Sequence, residues 1–148
     1  MKKHLFTLFA VLFVPLFLYA QADKIEGTWY NDDKTSAIEI KKESDGKYDG
    51  KIVWLDEPNE NGKPKIDDDN PDPKLATRPI MGLKIVNDFR YSTKKKKWEN
   101  ATIYDPKNGK TYDCFAWFKD GNNNTLYLKG YVAGIKALGR KTEWTKKN

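Results

Sequence analysis

The sequence predicts an all-β protein: a single antiparallel, up-and-down barrel of about eight strands. Three observations predict it. Short runs rich in β-branched and aromatic residues recur at near-regular spacing from Gly27 onward. Between them stand "ESDG", "DPKNG" and "KDGNNN", each with Gly, Asn or Asp where a tight hairpin would turn. No stretch beyond residue 22 sustains an apolar pattern of helical period. Such a sheet must hide its edge strands, and closure into a barrel removes them.

The chain opens "MKKHLFTLFAVLFVPLFLYAQA". A basic start is followed by an apolar run from Leu5 to Ala20, shorter than the ~20 residues of a membrane span. Ala20-Gln21-Ala22 supplies a cleavage pattern, so residues 1–22 read as a secretory signal peptide cut after Ala20 or Ala22. Cleavage leaves one domain, residues 23–148, without a transmembrane span, and places it in the periplasm or outside the cell.

The strands then follow in order. They are 27–31 (GTWYN), 36–42 (SAIEIKK), 46–55 (GKYDGKIVWL) and 78–86 (RPIMGLKIV), then 97–105, 110–119, 125–132 and 137–146. Alternation gives each a buried side. Ile38 and Ile40 share one; so do Tyr48, Gly50, Ile52 and Trp54, and Met81, Leu83 and Ile85. In 110–119 the set is Tyr112, Cys114, Ala116 and Phe118; in 125–132 it is Leu126, Leu128, Gly130 and Val132. This mixture of small and aromatic residues suits either a tapered packed core or room for a ligand.

Composition removes several chemistries. His4 is the only histidine and leaves with the leader; Cys114 is the only cysteine, and its apolar neighbours mark it as a buried, inert thiol. The exported chain therefore has no Ser-His-Asp triad, no Cys-His pair, no histidine-ligated zinc and no internal disulfide. With Lys2 and Lys3 removed it keeps 25 basic and 21 acidic residues, a net +4. That excess suits an anionic envelope surface, and export argues against nucleic acid as a partner.

Six motifs occur in a fixed order: "GTW" at 27–29, "GKIVWL" at 50–55, "NPDP....RPIMGLKI" at 70–85, "IYDPKNGKTY" at 103–112, "LKGY" at 128–131 and "GRKTEW" at 139–144. Together they resemble the bacterial envelope family catalogued as domain of unknown function 2147, across essentially all of residues 23–148. The resemblance implies a lipocalin-like, calycin-type barrel behind a signal peptide and supplies no activity. It also implies that a basic residue of the last strand, Arg140, packs over Trp29 to close the barrel. One position departs from the family pattern: Asn100 stands where Gly is usual, and is expected to crowd one barrel wall.

"KIDDDNPDPKLATRPIMGL", Lys65 to Leu83, is the densest polar stretch. As a calcium loop starting at Asp68 it has Pro73 where the sharp turn needs Gly and Pro79 where the last ligand should be Glu. A looser site of Asp67, Asp69 and Asp72 competes with a structural reading: Asx turns, proline stiffening, and Arg78 ion-paired with Asp69 or Asp72. The structural reading is preferred, with no metal. The wider loop Asp56–Arg78 carries seven acidic and four basic residues on a basic protein, and reads either as a lid or as a clasp.

Three functional classes follow. The leading one is a barrel binding a small apolar or amphipathic ligand, with Tyr48, Trp54, Met81, Tyr104 and Tyr112 lining a cavity beside the Asp56–Arg78 loop. The alternative is an envelope surface-interaction protein recognising polysaccharide, lipid or protein. It would use the Lys94–Lys97 hairpin tip and the outward Tyr127 and Tyr131. The second alternative is a carboxylate-based hydrolase drawing on Asp49, Asp105 and Asp113, although Asp105 already has a turn to cap. No cofactor and no catalytic residue is assigned.

Overall fold

Ten strands form in chain order: β1 (Gly27–Tyr30), β2 (Ser36–Lys42), β3 (Tyr48–Leu55), β4 (Asn59–Glu60), β5 (Lys63–Pro64), β6 (Lys84–Ser92), β7 (Lys97–Asp105), β8 (Lys110–Lys119), β9 (Asn122–Tyr131) and β10 (Arg140–Lys146). The structure, a computed structural model, describes residues 20–148. Most of the leader assigned to residues 1–22 thus lies outside the described residues. Eight of the strands close an antiparallel barrel in the order β1-β10-β9-β8-β7-β6-β3-β2, and β4 and β5 form a separate small hairpin. Helical geometry among the described residues is confined to residues 20–22, running into the 3-10 turn Asp23–Ile25, and to the 3-10 turn Lys136–Leu138. No described helix is long and apolar enough to cross a membrane.

The fourth barrel strand is β6, Lys84–Ser92, rather than 78–86. Pro79 cannot donate to a ladder, and Gly82 turns the chain at φ 84°, so Arg78–Leu83 is a looped approach to the strand. The true continuation, "NDFRYS", is disguised by Asp88, which adopts φ 68° within the strand. Asn100 is the second surprise. It is exposed, at φ 59°, beside the β7–β8 register shift between Trp98 and Ala101. Asn is among the few residues that tolerate this left-handed geometry, so it replaces glycine at a bulge and crowds nothing.

The barrel is filled at one end only. Ile25, Trp29, Tyr48, Phe89, Trp98 and Leu126 are buried at the end where the β2–β3, β6–β7 and β8–β9 turns lie. The segment before β1 plugs that end. The Trp29 indole donates to the Ile25 carbonyl (2.9 Å) and the Trp98 indole to the Ala22 carbonyl (3.0 Å). Phe118 stands edge-on to Trp98 with ring centroids 5.3 Å apart, and Tyr91 lies 4.9 Å from Trp98. These indole N–H groups could enter the core only because each finds a carbonyl there.

Candidate functional site

At the other end four connections surround a mouth: residues 31–35, 56–83, 106–109 and 132–139. Beneath it lies a cavity of about 1680 Å³, continuous with solvent between these connections. Isolated ligand pockets commonly enclose ~300–1,000 Å³; this one is larger because it extends out through the mouth. Its inner wall is apolar: Ile38 (β2), Ile52 (β3), Ile85 (β6), Ile103 (β7), Cys114 (β8), Leu128 (β9) and Trp144 (β10). They come one from each of seven consecutive strands. Alternation places six of them inward, and Ile85 is the extra residue at the β3–β6 register shift, beside Val86, which faces Gly50 and Ile103. Gly130 adds no side chain, and a Cβ there would meet only Tyr112 and Ile103 at 3.6 Å or more. Branched aliphatics at the wall and small residues on β8 and β9 leave the upper half empty, whereas tryptophans and phenylalanines fill the lower half.

The rim is polar. Asp32, Asp56, Asp68 and Asp69 stand at the mouth beside Lys63 and Arg140. Asp33 pairs with Lys107 at 3.4 Å and Glu57 with Lys65 at 3.4 Å. Tyr112 accepts a hydrogen bond from Asn108 Nδ2 (3.2 Å), which leaves its own O–H proton for a ligand. Burial, reinforced by Asp113, pushes the Cys114 thiol up to about 12, so it meets the cavity as a neutral thiol.

The long connection is locked by one buried side chain, Asp67, which is 0% exposed. Its carboxylate accepts from the Tyr104 hydroxyl (2.6 Å), Asn70 Nδ2 (2.8 Å), Arg78 Nε (2.9 Å) and Arg78 Nη2 (2.8 Å). The Arg78 guanidinium also lies 5.5 Å from the Tyr104 ring centre. Burial, and the neighbouring Asp67 charge, raise the Tyr104 phenol above its ordinary value. Backbone bonds reinforce the clasp: Asp67 N–H donates to the Arg78 carbonyl and Ile80 N–H to the Lys65 carbonyl. Gly109 holds the β7–β8 turn against this loop at φ 65°; a Cβ there would sit 1.9 Å from the Asp69 carbonyl oxygen. The loop is a tied wall of the site.

This corrects the expected ion pair: Arg78 pairs with Asp67, not with Asp69 or Asp72. Asp72 instead caps a turn, accepting from Lys74 N–H (2.9 Å), and Asp69 is exposed at the mouth. Asp67 is saturated by protein donors, and among the described residues no group of three or more acidic, Cys or His side chains is arranged to hold a metal ion.

Of the five expected lining residues, the structure brings together Tyr104 and Tyr112. Tyr48 points inward but belongs to the plugged end, its hydroxyl bonded to Asp23 Oδ1 (2.5 Å). Trp54 faces outward. β3 carries one extra residue opposite the Ala37–Ile38 step, so Ile52 pairs with Ile38 while Trp54 pairs with Ala37 and flips to the outer face. There it meets Tyr30 edge-on, at 5.6 Å. Met81 is 41% exposed at the turn preceding β6. The closure over Trp29 is also different. Antiparallel pairing brings the far end of β10 beside β1, so Lys146 lies 5.5 Å from the Trp29 ring, while Arg140 pairs with Gly130 at the mouth.

The other candidate groups do not converge. Asp49 is bound to Lys84 (2.6 Å) and Asp88 N–H (2.8 Å), and Asp105 caps its own turn through Lys107 N–H (3.0 Å). Asp113 is exposed on β8, opposite Tyr131. At the Lys94–Lys97 tip, Lys95 is held by Glu99 (2.9 Å) and Lys97 lies over the Phe115 ring (4.8 Å). Sequence reading missed the contributions of Ile103, Leu128 and Trp144 as a common wall; strand pairing supplies that, and alternation alone does not.

Comparison with known proteins agrees with this architecture. A bacterial protein family described as "Uncharacterized protein conserved in bacteria (DUF2147)" matches residues 27–146. No curated protein matches the chain. Among solved structures, HP1028 from the human pathogen Helicobacter pylori, described as belonging to the lipocalin family, aligns with a TM-score of 0.69. The two share 20% identity over 84% of this chain and 83% of that one, which shows a common fold.

Proposed function

We propose that this chain, which belongs to the bacterial DUF2147 family, is an exported envelope protein that holds a small apolar or amphipathic molecule in the open half of its barrel. One observation carries the reading: an apolar wall contributed by seven strands surrounds empty space, beside a lower half packed with aromatics. A domain that needed only a core would gain several kcal/mol by filling that space with larger side chains. The emptiness is consistent with a selected volume. The polar rim suits a ligand whose apolar body enters first and whose polar end stays at the mouth. The lipocalin-type fold raises the expectation of ligand binding by analogy alone. The leader sequence supports export.

Two measurements test the reading together. Mass spectrometry of the protein purified natively after export should find a co-purifying small molecule. A solvatochromic apolar probe should bind the emptied protein and fail to bind Ile103→Trp, whose indole would occupy the cavity. Equal probe binding by wild type and Ile103→Trp, with both folded, would remove the cavity from the function.

A further inference from the structure

The β9–β10 hairpin holds the longest acid-free stretch of the chain beyond residue 22. From Gly121 to Thr142 there is no acidic residue, while Lys129, Lys136, Arg140 and Lys141 are all basic. Lys141 is paired with Glu143 (2.9 Å); no carboxylate partner is found for Lys129, Lys136 or Arg140 among the described contacts. The same connection exposes three large apolar side chains, Val132 at 57%, Ile135 at 49% and Leu138 at 80%. Leu138 is the most exposed large apolar residue among those described. The short 3-10 turn Lys136–Leu138 gives this tip a defined shape, and Lys136 reaches back over the Phe115 and Tyr131 rings (5.6 and 5.8 Å).

Exposed aliphatic side chains lose free energy in water, and a monomeric surface rarely gathers three of them on one short loop without a partner. The surrounding charge specifies that partner as anionic. A combination of inserted aliphatics, an aromatic collar and unpaired lysines matches the boundary between lipid headgroups and acyl chains. The opposite lip of the mouth is the net-acidic Asp56–Arg78 loop, which such a surface would repel. The contact is therefore one-sided.

We infer that the β9–β10 tip docks the barrel onto an anionic phospholipid surface, with Leu138 and Ile135 inserted and Lys129, Lys136 and Arg140 at the headgroups. Val132 and Leu138 also line the cavity mouth, so docking turns the cavity toward the lipid. The inference stands whether or not the cavity proves to be filled, because it concerns the outer surface of the tip.

Co-sedimentation of the exported protein with vesicles tests it. Vesicles of phosphatidylcholine with about one-third phosphatidylglycerol should bind the protein, and pure phosphatidylcholine should not. Ile135→Ser/Leu138→Ser should weaken binding about tenfold or more. Lys129→Gln/Lys136→Gln should weaken it about 25-fold, near fivefold per lysine. Both pairs are on exposed or half-exposed side chains, and an unchanged urea midpoint verifies folding. Lys94→Gln/Lys96→Gln, at the plugged end, should change nothing. Several results would overturn the inference: equal binding to both vesicle types, an unaffected serine variant, or loss of binding in the Lys94/Lys96 pair. Tight binding of a soluble acidic polysaccharide that is indifferent to the serine pair would assign the tip to polyanions instead. Concentration-dependent dimerisation abolished by Leu138→Ser would assign it to a second copy of the chain.

Discussion

Replacing Asp67 separates a clasp from a decorated loop. In the wild type its carboxylate takes four donor contacts from three side chains while wholly buried. In Asp67→Asn the remaining carbonyl can still accept from Tyr104, but the new amide donor faces Arg78 and Asn70, which are donors too. Removing one partner of a buried ion pair costs ~3–5 kcal/mol. Arg78 keeps 34% of its side-chain surface, so water recovers part of its solvation and the expected loss is ~2–3 kcal/mol. At ~3–4 °C per kcal/mol for a domain of this size, the midpoint should fall by ~6–12 °C.

Urea unfolding is the assay, and the m-value should be unchanged if the denatured state is unaffected. Arg78→Met should cost a comparable amount, because it leaves the buried carboxylate with hydrogen bonds from Tyr104 and Asn70 but without its countercharge. The double variant should cost less than the sum of the two singles, with a coupling of ~1–3 kcal/mol. Asp69→Asn, at an exposed carboxylate in the same acidic run, is the control and should stay within ~0.5 kcal/mol of wild type. If Asp67→Asn and Asp69→Asn prove equally mild, or if the double-variant costs simply add, the buried carboxylate does not hold this loop.

Four further outcomes are expected. Gly109→Ala should destabilise by more than ~2 kcal/mol, combining left-handed strain with the approach to the Asp69 carbonyl. Gly121→Ala, at a similar φ with nothing nearby, should cost only ~1 kcal/mol in the same urea titration. Lys146→Met should cost ~0.5–1 kcal/mol through the Trp29 ring, and Arg140→Met nothing measurable, which a thermal melt resolves. Stability should fall in alkali. Burial raises Tyr48, Tyr104, Tyr91, Tyr131 and Cys114 above their ordinary values, 10.0 for the phenols and 9.0 for the thiol. Their neutral forms are favoured in the folded state, so the contribution is complete below about pH 9 and is lost as pH rises through the folded values. Tyr48→Phe should flatten part of that loss; a midpoint constant to pH 12 would contradict it. Melting curves in calcium and in chelator should superimpose, because Asp67 already has its donors; a shift of many degrees would mean the loop binds the ion.

The fold was legible because each barrel strand carries its own alternation and each hairpin its own turn residues; those signals are local. What failed was non-local or involved a single inserted residue. Trp54 follows Tyr48 and Ile52 in strict alternation, yet one extra residue in β3 turns it outward. Asp88 reads as a turn residue and sits inside β6. The family resemblance places Arg140 beside Trp29, but the antiparallel register decides which end of β10 meets β1. The clasp was half legible. An arginine near an aspartate run announces an ion pair, but which of four aspartates is buried depends on where the Tyr104 hydroxyl arrives from a strand 37 positions away.

The division of the barrel into a filled half and an empty half has a cause within the same residues. At the plugged end, bulky aromatics are admitted only where their polar atoms are met: Trp29 by Ile25, Trp98 by Ala22, Tyr48 by Asp23. Those acceptors all come from residues 22–25, before β1, so that segment and the aromatics require one another; the Ala22 acceptor stays in the exported chain when the leader is cut after Ala20. Among the described residues no comparable segment crosses the mouth. The long connection that might have done so is instead pulled onto the barrel wall, by Asp67 to Tyr104 and by Gly109 to Asp69. Aromatic filling at that end would have left N–H and O–H groups without acceptors, at ~1–3 kcal/mol each. Six of the seven wall residues are isoleucine, leucine or cysteine, which need none; Trp144 alone brings an N–H to the wall. The seven-strand wall can therefore stay apolar and open, which is the property a reversible binding site for an apolar molecule requires.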